Sequence, residues 1–252
     1  MTSLKKISGL PLFLKKDGVI FGGKMHAPSF QSKDFNQYKK FFQPSRLDKN
    51  KHLYYIYRNS CLENDLPVFL NNGLSYDITL LFPGRLGNEP MRTIGHIHKP
   101  IRGSRPSEIY QVLSGKALFL LHDIKSDTIY RIYRNSGQKI VIPGNCAHIT
   151  INASLNKPLL LANIFSNAKN ASDYRFFKKT NGPSWYPVIK KNKIFFSKNI
   201  LGGKSTMIAP ISKKISMPKG VKNNFPLYRE FVNNPDKFTF LKHSNKISDF
   251  IR

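Results

Sequence analysis

The chain of 252 residues carries 41 Lys and Arg against 14 Asp and Glu, which gives a formal net charge of +27. No more than two basic residues are consecutive, so the charge predicts a field that attracts anionic metabolites rather than the basic arm or block of a nucleic-acid-binding protein. Two cysteines exclude a disulfide framework, and no apolar stretch approaches the roughly 18 residues of a membrane span. We therefore expect a cytoplasmic protein without a signal peptide or a membrane segment.

Apolar residues make up 40% of the chain and aromatic residues 12%, which is enough for a sizeable core. The 16 Gly and 16 Pro, together with many short runs of Ile, Phe, Tyr and Val, predict an all-β fold. We divide the chain into an N-terminal extension with a short helix (residues 1–49), a β-barrel domain (50–200) and a C-terminal extension (201–252). The last segment is predicted to be a wrap-around tail, a dimer element or a partly disordered stretch.

In chain order, the first clear element is a predicted helix over residues 34–43, where Asp34 is placed to cap the N-terminus and aromatic residues recur at helical spacing. Short apolar or alternating runs then predict strands at 53–57, 74–82, 93–98, 108–113, 117–122, 129–133, 139–142, 148–152 and 159–165. Turn-forming Gly, Pro and Asn separate these strands, a spacing typical of a β-sandwich or a closed barrel. Farther along, residues 188–196 predict a hairpin with its turn near Lys191, and residues 227–232 predict a short helix.

Three histidines and one glutamate in the central strands form a candidate metal site. His96 and His98 are two positions apart, and side chains at that spacing project from the same face of a strand. Glu108 and His148 lie in two later predicted strands, from which both can point inward. Each of these residues taken alone is more often a surface or core residue, so the prediction rests on the set. Imidazole and carboxylate ligands together favour Fe, Mn, Ni, Co or Zn over Mg or Ca.

The spacing of these residues resembles the two sequence motifs of the cupin superfamily. The first motif is approached by His96, His98, Glu108 and Gly115, and the second by Gly137, Pro143, His148 and Asn152. The chain departs from the usual pattern in two places. The interval between His98 and Glu108 is longer, which extends a loop beside the site, and Asn145 stands where the second motif commonly has Gly. The resemblance implies a cupin fold, which is a double-stranded β-helix or jelly-roll barrel, with short helices and terminal extensions.

Within the superfamily, the chain resembles the cupin-type glucose-6-phosphate isomerases over roughly residues 50–195. The stretches that carry this resemblance are 77–89, 93–98, 108–115, 147–152 and 173–174. The resemblance implies an enzyme of glycolysis and gluconeogenesis that interconverts glucose 6-phosphate and fructose 6-phosphate. It also implies a homodimer with one divalent transition metal per subunit, Fe or Mn in the first place and Ni, Co or Zn after them.

The resemblance assigns the metal ligands and the catalytic residues by position. The residues that match the family's metal ligands are His96, His98, Glu108 and His148. Glu108 and Tyr174 are the expected catalytic residues.

The expected substrate-binding residues surround these ligands in the sequence. The phosphate-binding residues of the family match Thr79, Thr93 and Gly95. A further phosphate-binding Tyr of the family matches Phe165, so one hydrogen bond from a phenol is expected to be lost. The residues expected to line the sugar pocket are Tyr54, Tyr110 and Tyr174, although each of them also fits aromatic core packing.

Two chemical routes fit these residues. In the first, Glu108 takes a proton from C2 of the open-chain sugar and a cis-enediol forms, for which a carboxylate in an apolar barrel is expected to have a raised pKa. In the second, the hydrogen moves between C1 and C2 as a hydride and Glu108 is a ligand only. The sequence leaves both routes open. The alternative functions are another metal-dependent cupin enzyme (a sugar-phosphate isomerase or a dioxygenase), a non-catalytic sugar-phosphate-binding cupin, and a basic nucleic-acid-binding protein.

Overall fold

The computed structural model describes residues 1–43, 51–169, 171–202, 207–212 and 215–251. The predicted boundary between residues 49 and 50 lies outside these ranges, as do residues 203–206, 213, 214 and 252 of the predicted C-terminal extension.

Short strands make up most of the regular structure. They are β1 Thr2–Ser3, β2 Leu12–Leu14, β3 Val19–Phe21, β4 Ser29–Asp34, β5 His52–Arg58, β6 Leu74–Leu81, β7 Arg85–Leu86, β8 Glu89–Pro90, β9 Ile97–His98, β10 Glu108–Ser114, β11 Lys116–Asp123, β12 Thr128–Asn135, β13 Lys139–Ile142, β14 Cys146–Asn152, β15 Leu159–Ser166, β16 Ser172–Asp173, β17 Trp185–Lys190, β18 Lys193–Lys198 and β19 Met207–Ile211. The α-helices are α1 Lys5–Ser8, α2 Phe35–Tyr38, α3 Leu66–Asn71, α4 Arg175–Lys179 and α5 Leu227–Asn233. Short 3₁₀ helices cover Lys39–Phe41, Glu63–Asp65, Pro235–Lys242 and Ile247–Asp249.

Two sheets build the centre of the molecule. The larger has the strand order β13-β10-β15-β6-β5-β4 and the smaller the order β14-β11-β12-β19. The sheets face each other, since the ring of Tyr110 in β10 lies 5.6 Å from that of Phe119 in β11. Isolated bridges from Arg92 to Ile151 and from His96 to His148 join the segment before β9 to β14. The all-β prediction is confirmed.

Strand β6 shows why the sheets have this sequence pattern. Every one of its residues is buried, because both of its faces are covered. On the outer face, the ring of Tyr76 packs against Phe69 of α3 at 6.3 Å and against Tyr228 of α5 at 5.2 Å. Side chains alternate along a strand, so Asp77 and Thr79 point to the opposite, inner face. These two polar side chains of β6 are therefore buried on the face that points into the space between the two sheets.

The C-terminal segment is fastened to the outer face of strand β10. The side-chain oxygen of Gln111 accepts a hydrogen bond from the backbone N–H of Leu227 at 2.8 Å, and its amide nitrogen donates to the carbonyl of Phe225 at 3.2 Å. Nearby, the buried ammonium of Lys139 donates to the Glu230 carboxylate at 2.5 Å. These contacts hold α5 against the sheet on the side opposite to Glu108 and Tyr110.

Two predicted elements differ in detail from the structure. The expected helix over 34–43 is a single turn, α2, followed by a 3₁₀ turn, and Asp34 makes no cap hydrogen bond. Its carboxylate instead accepts from the Ser32 hydroxyl at 2.8 Å and contacts His52. The expected strand over 93–98 is reduced to β9, because Gly95 has a φ of +84° that a regular strand does not allow.

The predicted hairpin and the predicted C-terminal helix are confirmed. Strands β17 and β18 pair in antiparallel fashion, with Lys190 opposite Lys193. Lys191 and Asn192 between them both have positive φ, as a tight two-residue hairpin turn requires. Among the described residues, no helix is both long enough and apolar enough to cross a membrane.

Candidate metal centre

The four predicted ligand residues converge between the two sheets. One potential ligand atom from each of them lies within 4.8 Å of those of the other three. The rings of His96 and His148 have centroids 4.4 Å apart, and those of His98 and His148 are 5.2 Å apart. Oε2 of Glu108 lies 3.2 Å from Nε2 of His98 and 3.4 Å from Nε2 of His148. The set thus presents three imidazoles and one carboxylate to a single point.

The loop over residues 99–106 orients the His98 ring. Nδ1 of His98 lies 2.7 Å from the carbonyl oxygen of Pro106 and donates a hydrogen bond to it, so Nε2 carries the lone pair. The Arg105 guanidinium donates in turn to the carbonyl of His98. Pro106 and Arg105 both belong to the longer loop between His98 and Glu108. This loop therefore fixes the orientation of the His98 ring, as outer partners of metal-binding histidines commonly do.

One nitrogen of His148 provides a test of whether these residues fit a metal. The residue is 2% exposed, and its Nε2 atom is buried without a hydrogen-bond partner among the described residues. An unsatisfied buried polar atom costs about 1–3 kcal/mol. A metal ion held by the cluster satisfies this atom, and the donor set of three imidazoles and one carboxylate suits a divalent transition metal. The residues present therefore fit the predicted ion.

The charge states of the cluster also suit metal binding. Burial would raise the pKa of Glu108, but the adjacent His148 and His98 side chains outweigh it and hold this pKa below its ordinary value. The expectation of a raised pKa for Glu108 was therefore wrong. Burial lowers the pKa of His96 well below its ordinary value and also lowers that of His98. The result is an ionised Glu108 carboxylate beside neutral His96 and His98 imidazoles, which is the ligand form of each of these groups.

A cleft of about 600 Å³, which includes its opening to solvent, lies over the cluster. The predicted residues that line it are Tyr54, Thr79, Thr93, His96, Glu108, Tyr110, His148, Phe165 and Tyr174. His98 is fully buried behind the cleft, and Gly95 is not among the lining residues. Most of the predicted substrate-binding residues are thus brought together with the candidate ligands.

The aromatic residues of the cleft surround the histidines. The Phe165 ring lies 4.1 Å from the His98 ring and packs against it. The rings of Tyr174 and His96 are 5.9 Å apart, and those of Tyr110 and His148 are 6.3 Å apart. Burial raises the pKa of Tyr110 well above its ordinary value, so this phenol stays protonated and can donate a hydrogen bond. Phe165 in turn is a support for the His98 ring.

The hydroxyl of Thr93 holds the neighbouring strand. Its Oγ1 accepts a hydrogen bond from the backbone N–H of Thr150 at 2.9 Å, and Thr150 also lines the cleft. Burial, followed by the nearby Tyr174, raises the pKa of the Tyr54 phenol well above its ordinary value. Tyr54 is therefore a neutral hydrogen-bond donor in the cleft.

Gly95 lets the chain pass closely behind His96. An added Cβ would lie 2.4 Å from Cγ2 of Ile149 and 2.7 Å from Cε2 of Phe177, and φ is +84°. Both the space and the backbone angle therefore require glycine. Its predicted contact with a phosphate stays a prediction.

Sequence reasoning missed several polar residues of the cleft, and three of them form close contacts there. The Asn163 amide donates a hydrogen bond to Oε1 of Glu108 at 2.7 Å. Arg58 and Asp77 form an ion pair, with Nη1 2.5 Å from Oδ2. Asp77 precedes Thr79 by two positions and Asn163 precedes Phe165 by two, so the alternation of side chains along β6 and β15 was the signal that places them on the cleft face.

Comparisons with known proteins point to one family. A family model described as glucose-6-phosphate isomerase matches residues 34–200. The glucose-6-phosphate isomerase of Thermococcus litoralis is 33% identical over 92 residues, which are 36% of this chain and 46% of that protein. That of Thermococcus kodakarensis is 33% identical over 107 residues, which are 42% of this chain and 53% of that protein. The chain thus spans about half the length of the curated relatives it matches.

Solved structures give a weaker likeness. A mutant of Bacillus subtilis oxalate decarboxylase is 16% identical with a TM-score of 0.35, and the match covers 47% of this chain and 27% of that one. The strand arrangement shows the fold, and the matched family model shows the family. That model spans most of the chain, including every candidate ligand and every residue that lines the cleft. The chain therefore belongs to the cupin-type glucose-6-phosphate isomerase family.

Proposed function

We propose that the protein is a metal-dependent isomerase that interconverts glucose 6-phosphate and fructose 6-phosphate in glycolysis and gluconeogenesis. The observation that carries this proposal is the buried, unpartnered Nε2 of His148 within a cluster of three histidines and one glutamate, at the base of a cleft. The identity of the substrate is inferred from the family to which the chain belongs. A homodimer is part of the proposal and rests on the family resemblance. A cytoplasmic location is also part of it and rests on the sequence pattern.

In this proposal His96, His98, Glu108 and His148 hold one divalent ion, Fe or Mn in the first place. When bound, such an ion would supply Lewis-acid chemistry to the isomerisation of the open-chain sugar. The chain's own groups orient the substrate, with Thr79 and Thr93 toward its phosphate and the phenols of Tyr54, Tyr110 and Tyr174 toward its hydroxyl groups. Fixed donors of this kind raise the rate by holding the reacting carbons in register.

The surroundings of Glu108 favour a ligand role over a role as base. Oε1 accepts a hydrogen bond from Asn163 at 2.7 Å, and Oε2 faces Nε2 of His98 at 3.2 Å. Oε1 is therefore engaged by Asn163, and Oε2 faces the histidines of the cluster, where the ion would be held. Of the two routes, we propose the one in which the hydrogen moves directly between C1 and C2.

Isomerisation in D₂O separates the two routes. Direct transfer keeps the migrating hydrogen, so the initial product is expected to contain almost no deuterium at C1 or C2, measured by NMR or mass spectrometry. Proton abstraction by Glu108 exposes the proton to solvent and introduces deuterium. Incorporation that approaches one atom per turnover would assign the base role to Glu108.

The activity itself has a direct assay. Purified protein loaded with Fe or Mn is expected to convert fructose 6-phosphate to glucose 6-phosphate in an assay coupled to glucose-6-phosphate dehydrogenase. A chelator should remove the activity and added metal should restore it, because the ligands are the proposed site of the ion. No turnover at any metal loading would refute the proposed function, and oxygen consumption would indicate a dioxygenase instead.

A further inference from the structure

Arg58 and Asp77 form an ion pair on the wall of the cleft, beside the candidate metal centre. Arg58 ends β5 and Asp77 lies on the neighbouring strand β6, where Tyr57 is paired with Ile78. Nη1 of Arg58 lies 2.5 Å from Oδ2 of Asp77, while Oδ1 accepts a hydrogen bond from the backbone N–H of Asn59 at 3.1 Å. The Asp77 side chain is 1% exposed and that of Arg58 36%. A buried carboxylate thus anchors a guanidinium that still reaches the open cleft.

The charges of the cleft make this guanidinium distinctive. Of the described residues that line the cleft, Arg58 is the only Arg or Lys, and the carboxylates are Asp77 and Glu108. Apart from the proposed metal ion, a dianionic ligand therefore has one permanent side-chain cation to meet. Among the described residues, the guanidinium uses Nη1 for Asp77, and its other N–H groups have no protein acceptor.

The position along the strand brings Arg58 to the proposed phosphate end. Asp77 and Thr79 are two residues apart on β6, so they share the cleft face at a separation of about 6.6 Å along the strand. An arginine side chain spans such a distance, and its forked donors suit a phosphate. Phe165 lacks the hydroxyl that the family resemblance assigns to this position, so one neutral donor to the phosphate is missing.

We propose that Arg58, anchored by Asp77, binds the phosphate group of the substrate and sets the preference for phosphorylated over free sugars. This inference rests on the proposed function, because it takes a sugar phosphate as the ligand. A charge-assisted contact from Arg58 replaces the phenol contact that Phe165 cannot make. The ion pair keeps the guanidinium on the wall before the substrate arrives, which lowers the entropic cost of binding.

Binding of inorganic phosphate tests the subsite without any turnover. Titration calorimetry is carried out on the metal-loaded protein and on the chelator-treated protein, with the variants Arg58→Gln and Arg58→Lys. Gln keeps a donor for Asp77 but loses the charge, and Lys keeps the charge but loses the fork. Arg58→Gln is expected to weaken phosphate binding about 10- to 100-fold in both forms, as the loss of a charged hydrogen bond does. Arg58→Lys is expected to give a smaller loss.

Arg229→Gln is the matched control. Arg229 lies on α5, on the outer face of the sheet, where its guanidinium donates to the carbonyl of Gly9. The Arg229→Gln variant loses the same charge as Arg58→Gln but should bind phosphate with the affinity of the wild type. Unchanged affinity in Arg58→Gln, or an equal loss in the control, would overturn the proposal. Phosphate binding that disappears only on metal removal would also overturn it, because the anion would then lie on the metal ion.

Kinetics then separate this inference from the proposed function. In an active isomerase, Arg58→Gln should raise KM for fructose 6-phosphate about 10- to 100-fold with a smaller change in kcat, since a remote binding contact is lost. Absence of turnover in the wild type together with Arg58-dependent phosphate binding would refute the isomerase and leave the anion subsite. Turnover with an unchanged KM in Arg58→Gln would refute the subsite and leave the isomerase.

Discussion

Replacement of His148 by Ala is expected to remove the metal and the activity together. Nε2 of His148 is the buried nitrogen that has no hydrogen-bond partner among the described residues, and it lies 3.4 Å from the Glu108 carboxylate. Loss of a residue that only orients a ligand typically costs about 10- to 100-fold in metal affinity. Loss of a ligand should exceed this, and we expect isomerase activity to fall by at least about 100-fold. Metal content by mass spectrometry and the coupled assay measure the two effects.

His52→Ala is the control for this substitution. The His52 side chain is 54% exposed, pairs with Asp34 and lies outside the cleft. The His52→Ala variant also removes an imidazole, but from a site without a proposed role in metal binding. Its metal content and activity should therefore stay close to those of the wild type. A full complement of metal in His148→Ala would contradict the ligand assignment, whatever the activity.

Gly95→Ala is expected to cause the largest loss of stability among these variants. The new methyl would lie 2.4 Å from Cγ2 of Ile149 and 2.7 Å from the Phe177 ring, at a φ of +84°. Overpacking costs about 1–3 kcal/mol, and the left-handed backbone costs about 1–2 kcal/mol for a residue with a Cβ. The free energy of unfolding should therefore fall by about 2–5 kcal/mol in urea denaturation. Because His96 follows directly, metal content should fall as well.

Gly73→Ala isolates the backbone contribution. Gly73 has a φ of +66°, but an added Cβ would meet nothing within 4 Å. This variant therefore carries only the conformational cost of about 1–2 kcal/mol and should keep its metal. Equal losses of stability in the two variants would show that the contacts with Ile149 and Phe177 do not matter.

The sequence was informative wherever local spacing determines geometry. The period of a strand predicted that His96 and His98 serve one point, and their rings lie 5.4 Å apart. Glu108 and His148 were found through the motif spacing, which reflects the way hairpins fold back on each other. The strands that contain these residues also agree with the predicted ones to within about two residues at each end.

The features that sequence reasoning missed depend on pairing between strands. The contacts of Arg58 with Asp77 and of Asn163 with Glu108 are set by the pairing register of β5, β6, β15 and β10. The sequence alone does not give this register. The direction of the Glu108 pKa shift depends on two opposing effects, burial and the nearby imidazoles, and the sequence alone does not give their balance. At Gly95, the close packing against Phe177 comes from α4, which lies about 80 residues farther along the chain.

The contact between Gln111 and the segment that begins α5 has a consequence for how the protein is made. Leu227 follows Gln111 by 116 positions, so the ribosome adds the covering helix long after it has added the strand that carries Glu108. Until then the apolar outer face of that sheet, including Tyr76, lacks its α5 partner Tyr228. Nascent chains with such uncovered surfaces are the species that aggregate or recruit chaperones. The outer face of the sheet that carries Glu108 is thus covered late in synthesis, although the four candidate metal ligands emerge earlier.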